Sequence, residues 1–217
     1  MLKVNEIFET IQGEGVYTGV PAVFVRLQGC PVGCPWCDTK HTWEVKPEQE
    51  ATFADIPIKS VENEKWGAIT ESDLVKFCLD NYSARHIVIT GGEPCMYDLT
   101  NLTRMFQAYE FTCQVETSGT YEVLVSEQTW ITVSPKVNMK GGLALVPQAL
   151  GRANEIKHPV GTHKDIDNLH ELLVNYETKS DVVVALQPIS QKERATALVW
   201  RSALKTIGDS LYKYTNI

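Results

Sequence analysis

Again and again along this 217-residue chain a short apolar run stops in a polar loop, and the stretches between runs carry helical spacing. The runs fall at residues 22–27 (AVFVRL), 86–90 (HIVIT), 112–117 (TCQVET), 130–134 (WITVS), 155–158 and 182–186 (VVVAL). Leu74, Val75, Phe77, Cys78 and Leu79 follow a capping Thr70 with Asp73 three positions on, which opens a helix. Leu99, Leu102, Met105, Phe106 and Tyr109 keep a second helical pattern, and Ile166, Leu169, Leu172 and Leu173 a third; residues 193–205 suit a last helix. Strands alternating with helices at this rhythm demand parallel strands and right-handed crossovers. About six units fit, fewer than the eight of a closed barrel, so the expected class is α/β, an open doubly wound sheet or a barrel short of closure. The length suits one domain spanning 1–217. Residues 43–67 are polar, contain Pro and lack a period, and read as an irregular insertion.

In parallel α/β sheets the chemistry gathers in loops at the strand C-termini. Here those loops carry CPVGCPWC (30–37), Gly91-Gly92-Glu93-Pro94, Ser118-Gly119, Pro135-Lys136 and Gln187-Pro188, five polar ends on one rim. A net charge of -7 disfavours grip on a nucleic acid backbone, which needs clustered cations, and favours a small-molecule substrate. No apolar stretch reaches membrane-spanning length, and the N-terminus is too polar and acidic for a secretory signal, so a cytoplasmic location is expected.

Three of the six cysteines, Cys30, Cys34 and Cys37, stand in the spacing C-x3-C-x2-C. Three thiolates leave one iron of a four-iron cluster open to a small molecule. With His41 they equally suit a Cys3His zinc site. Cys78 and Cys113 sit in apolar patterns and read as buried small hydrophobes; Cys95, beside the glycine motif, is open to either reading. The paired glycines at 91 and 92 suit a close backbone approach to a ligand, or an ordinary strand-to-helix turn.

CPVGCPWC after one strand and GGEP after another resemble the radical S-adenosylmethionine superfamily, which implies a partial (βα)6 TIM-like barrel. Over nearly the whole chain the segments FETIQGEGVYTGVPAVFVRLQGCPVGCPWCDTKHTW, ITGGEPCMYDL, VETSGT, VSPKVNMKGG and ALQPISQK are similar to the 7-carboxy-7-deazaguanine synthase family. The resemblance implies a [4Fe-4S] cluster on Cys30, Cys34 and Cys37, with S-adenosylmethionine chelating the fourth iron and yielding a radical that abstracts hydrogen from substrate. It further implies a radical carbon-nitrogen lyase that contracts 6-carboxy-5,6,7,8-tetrahydropterin to 7-carboxy-7-deazaguanine with loss of ammonia, on the route to queuosine. Mg2+, a homodimer and an electron donor such as flavodoxin are implied with it, and neither a nucleic acid nor a membrane partner.

Residue by residue, the resemblance places Trp36, Cys37, Asp38, Gly92, Glu93, Ser134, Pro135 and Lys136 on S-adenosylmethionine, Ile11, Gln12, Gly13, Arg26 and Thr90 on substrate, and Mg2+ on Thr39. The residue types suit these roles. Gln12 and Glu14 beside flexible glycines offer partners for the donor-acceptor edge of a pterin. Arg26, a charge in an apolar strand, has a planar fork that matches a carboxylate or else pairs with a structural acid. Thr39 offers a hard oxygen beside the cysteines. Glu116 on a strand needs a partner, and a guanidine-like pterin edge is one; Gln187 is a weaker candidate. Trp36 also suits plain shielding of a cluster from water.

One departure stands out: where the family carries Gln-Thr-His-Lys, this chain has Ser210-Leu211-Tyr212-Lys213, which puts a role for that His in doubt and makes Tyr212 the candidate to replace it. The rival within the superfamily is an activating enzyme that places a radical on a protein glycine. IQGEG, Arg26 before the cysteines and CDT after them favour a small carboxylated heterocycle.

Overall fold

The computed structural model describes residues 1–60 and 63–189, with Thr196. Its strands are β1 (Leu2–Ile11), β2 (Pro21–Leu27), β3 (Glu50–Ala51), β4 (Trp66–Ile69), β5 (His86–Gly91), β6 (Thr112–Thr117), β7 (Trp130–Val133), β8 (Glu155–Val160) and β9 (Val183–Pro188). The α-helices are α1 (Glu71–Asn81), α2 (Thr100–Ala108), α3 (Pro147–Arg152) and α4 (His163–Asn175). The strands form one sheet in the order β3-β4-β1-β2-β5-β6-β7-β8-β9. From β2 through β9 every neighbouring pair is parallel, as the alternation predicts.

The sheet curls into a partial barrel. Glu14, just past β1, contacts Lys157 on β8 and Gln187 on β9. Five strand steps separate β1 from β8, roughly 24 Å of flat sheet at about 4.8 Å a step. Only a strongly curved sheet brings those ends together. Its edges, β3 and β9, do not pair with each other among the described residues, so the barrel is open.

Alternation along each strand sorts the side chains. Val23, Val25, Leu27, Ile87, Ile89, Val115, Ile131, Val133 and Ile156 face outward, where they pack with Leu74, Cys78, Leu102, Phe106 and Leu172 in one core. The opposite parity, Arg26, Thr90, Glu116, Thr132 and Lys157, faces the concave side. Parallel register then sets residues distant in sequence abreast, Arg26 beside Thr90 and Glu116 beside Thr132. α1 begins where its capping pattern predicts: Thr70 Oγ1 accepts from Asp73 N–H at 3.1 Å.

Several expectations change. β1 precedes the run that reads as the first strand, and its alternation is broken by an irregularity between Val4 and Glu6, which lets Val4 and Ile7 reach the core while Glu6 joins the concave side. The connection from β6 to β7 has no helix; Val123 and Val125 cover the core there. Part of the 43–67 stretch is irregular, built of 3-10 turns, yet it is tied to the sheet: Gln28 Nε2 donates to Glu44 O at 2.6 Å, Trp66 Nε1 to Lys46 O at 3.1 Å, and Ile56 is buried. Its anchors are single buried amides and rings, not a repeating apolar face, so no period reveals them. Apart from Thr196, the expected helix at 193–205 lies outside the described residues, as does Tyr212, and no helix among the described residues is long and apolar enough to cross a membrane.

Candidate active site

A cavity of about 680 Å3 opens at the C-terminal rim of the parallel strands, within the size range of small-molecule sites. At one side it is lined by Cys30, Cys34 and Cys37 with Trp36, Asp38, Thr39 and Trp43; elsewhere by Gln12, Gly13, Arg26, Thr90, Gly92, Glu93, Glu116, Ser134, Lys136 and Gln187. Most of the residues singled out in the sequence thus meet around one space. Two do not: Ile11 is 61% exposed and Pro135 is buried, and neither lines the cavity.

The thiol loop is held by its own backbone and by one indole. Cys37 N–H donates to Cys34 O at 3.1 Å, and Trp43 Nε1–H donates to Cys37 Sγ at 3.3 Å, a contact that draws electron density from that sulfur. Burial pushes the Cys30 thiol up to about 11 and raises that of Cys34. Both therefore give up protons when metal binds. Three thiols share one wall of the cavity, the donor set of a four-iron cluster with one iron left open. A zinc site instead needs four donors gathered round one ion. Among the described residues no three His, Cys, Asp or Glu are placed to hold one ion, and His41 sets its Nε2 3.7 Å from Glu6 Oε1. Cys78, Cys95 and Cys113 belong to the hydrophobic core.

The glycine motif has a different physical origin from the one its spacing suggests. A Cβ on Gly91, at φ +120, would lie 2.1 Å from Leu27 N, and one on Gly92 would lie 2.1 Å from Gly29 O. Gly92 N–H donates to Leu27 O and Glu93 N–H to Gly29 O, each at 2.8 Å. The glycines let this loop dock backbone to backbone on the start of the cysteine loop. Glu93, 1% exposed, is saturated by protein: Oε1 accepts from Cys95 N–H (3.0 Å) and Thr117 Oγ1 (2.5 Å), and Oε2 from Ser118 N–H (2.9 Å) and Ser118 Oγ. Its carboxylate clamps the β5 loop to the end of β6.

Lys136 Nζ donates to Ser134 Oγ at 2.5 Å, and burial lowers its pKa against the opposing pull of Cys34, Cys37 and Glu93. Arg26 donates from Nε to Glu6 Oε2 at 2.8 Å. That side-on pair, set by the cross-strand register Glu6↔Arg26, uses one of five guanidinium N–H donors on a residue that lines the cavity. Phe8 stacks on Phe24 two pairs further along, centroids 5.6 Å apart. The structure thus shows the pairing with a structural acid, and it leaves the rest of the guanidinium fork on a residue that lines the cavity.

Sequence reasoning missed Lys157, which lines the cavity, and Glu155, buried one alternate position before it on β8. Lys157 Nζ contacts Glu14 Oε2 at 2.5 Å and Glu116 Oε2 at 3.1 Å. Burial alone would depress the Lys157 pKa, but the two carboxylates outweigh it and raise it. Burial raises the Glu155 pKa, while its Oε2 accepts from Trp130 Nε1 and Thr132 Oγ1 and its Oε1 from Val16 N–H. Gly15 holds φ +70, a conformation that favours glycine, and a Cβ there would also press on that carboxylate at 2.1 Å. Alternate positions 155 and 157 of EIKHPV were the available signal, two charges of period two in a buried strand.

The profile of the 4Fe-4S single cluster domain matches residues 11–140, and the fold with its thiol loop defines an iron-sulfur protein of that class. Over 223 residues the chain is 52% identical to 7-carboxy-7-deazaguanine synthase from Escherichia coli strain K12, covering 99% of this chain and 98% of that one. The synthase of that name from Buchnera aphidicola subsp. Schizaphis graminum is 45% identical over 193 residues, covering 88% and 86%. A crystal structure of QueE from Escherichia coli matches with a TM-score of 0.93 at 51% identity, over 98% of this chain and 92% of that one. The chain belongs to the 7-carboxy-7-deazaguanine synthase family of enzymes.

Proposed function

We propose that this enzyme converts 6-carboxy-5,6,7,8-tetrahydropterin to 7-carboxy-7-deazaguanine with release of ammonia, within queuosine biosynthesis. The observation that carries the reading is one cavity with three cysteines at one side and Arg26, Thr90, Gln12 and Glu116 around the remainder. Cys30, Cys34 and Cys37 would hold the [4Fe-4S] cluster, and Trp36, Asp38, Gly92, Ser134 and Lys136 line the space next to it for S-adenosylmethionine. When bound, these two cofactors supply one-electron reduction and hydrogen-atom abstraction.

The chain's own contribution is recognition and orientation. Arg26, braced by Glu6, presents a fixed cation to the substrate carboxylate. Gln12 and Glu116, joined by a 3.1 Å hydrogen bond, present amide and carboxylate acceptors to the N–H groups of the pyrimidine edge. Carboxylate at one end and N–H donors at the other leave the bicycle one orientation. Phe24 and Trp43 supply apolar walls that exclude water from the reacting centre. Electrons come from a donor such as flavodoxin, and the working species is a homodimer.

Thr39 is the proposed Mg2+ ligand. Its hydroxyl lies 3.5 Å from Cys37 Sγ at the cavity wall, a hard oxygen where a substrate carboxylate would complete the coordination. Mg2+ should raise the turnover of wild type, and Thr39→Ala should abolish that stimulation; equal stimulation in both removes Thr39 from the metal site. The function itself is tested by an anaerobic assay of reduced, cluster-loaded enzyme with S-adenosylmethionine, Mg2+ and the carboxytetrahydropterin, read by mass. A product of the deazaguanine acid mass is expected, and its absence from enzyme with an intact cluster refutes the assignment.

A further inference from the structure

Four side chains from three elements close a hydrogen-bonded ring on the cavity wall opposite β2. Gln12 Nε2 donates to Glu116 Oε1 (3.1 Å), Lys157 Nζ donates to Glu116 Oε2 (3.1 Å) and to Glu14 Oε2 (2.5 Å), and Glu14 N–H donates to Gln12 Oε1 (3.1 Å). Gln187 Nε2 braces the ring from β9 through Glu14 Oε1. All five residues line the cavity. Lys157 is the one member that joins both carboxylates, and its side chain is only 12% exposed. No motif contains it.

We propose that Lys157 is a positioning residue for recognition of the aminopyrimidinone edge of the substrate: it holds Glu14 and Glu116 in register so that their acceptor oxygens face the N–H donors of that edge. The inference rests on the function proposed above. Its physical basis is charge and geometry together. One ammonium serves two carboxylates, so the ring keeps a surplus of acceptor charge, which attracts an N–H-rich edge and turns the substrate carboxylate toward Arg26. Removing the ammonium leaves two partly buried acids near one another without that counter-charge, and like charges so placed move apart or take up a proton. Either response loses the aligned acceptors. The loop 12–15 also loses its tie to β8, apart from the Val16 N–H contact to Glu155 Oε1.

Steady-state kinetics on anaerobically reconstituted holoenzyme test this with Lys157→Met and Lys157→Arg. Lys157→Met should raise KM for the carboxytetrahydropterin about 10- to 100-fold, the size of a lost charged hydrogen bond, with kcat at saturation within about threefold. The preference for the substrate over its analogue lacking the 2-amino group should collapse, while the Kd for S-adenosylmethionine stays as in wild type. Lys157→Arg should restore KM to within about threefold, because it keeps the charge. An unchanged KM in Lys157→Met, an unchanged preference, or a parallel loss of S-adenosylmethionine binding overturns the proposal. Where Lys157→Met does not fold, Lys157→Met/Glu14→Gln, which keeps the net charge of the cluster, is read against Glu14→Gln alone: a KM raised above that of the single variant supports positioning and an equal KM overturns it. Product formation by wild type separates the two readings, since no product refutes the function and the inference together, whereas product with a normal KM in the variants refutes the inference alone.

Discussion

Cys34→Ala should yield a folded but colourless protein whose product formation falls more than about 1,000-fold, because the chemistry belongs to the cofactor that this thiol is proposed to anchor. The argument lies in where the cysteines sit. Cys34 lines the cavity and takes no part in the hydrophobic core, so its loss leaves no cavity among packed side chains. Cys78, at 0% exposure between α1 and the sheet, is the control. Cys78→Ala should keep the iron and the colour and lose only about 1 kcal/mol of stability. Iron content, visible absorbance and anaerobic turnover separate the pair. A coloured, active Cys34→Ala enzyme would remove that residue from the cluster.

Glu93→Ala should be the most destabilising single change at the rim, on the order of 4 kcal/mol, or roughly 8–16 °C in melting temperature for a chain of this size. Four donors converge on its carboxylate from Cys95, Thr117 and Ser118, and alanine leaves them buried without acceptors. Glu93→Gln keeps one acceptor oxygen and should lose about half as much. Thermal unfolding of the two variants checks both figures. Because the clamp joins the glycine loop to the end of β6, cofactor affinity should fall along with stability. A Glu93→Ala protein that melts within about 2 °C of wild type and merely binds S-adenosylmethionine poorly would show the carboxylate to be a ligand contact, not a clamp.

Different parts of the site were legible for different reasons. The cysteines, Gly92, Ser134 and Lys136 stand in short motifs at strand ends, and a strand end is a position that local pattern reveals. Arg26, Thr90 and Glu116 stood out as polar residues in apolar runs, and strand parity carries all three to the concave side. Ile11 belongs to the same local segment as Gln12 but points to solvent, since neighbours along an extended chain face opposite ways. Glu93 was legible as important and not as a clamp, because its partners at 117 and 118 come from another strand. β1 was hidden by the irregularity after Val4, which breaks the alternation a reader counts.

From residue order alone came the parallel α/β rhythm, the polar loops at the strand ends and the close spacing of three cysteines, all properties that hydrophobic period and local spacing encode. Tertiary structure alone decided that Glu14 meets Lys157 and Gln187, that Glu6 braces Arg26, and that the paired glycines serve loop docking. Those contacts follow from the register between strands and the curl of the sheet, which arise only when distant segments pack against one another and which no local pattern records.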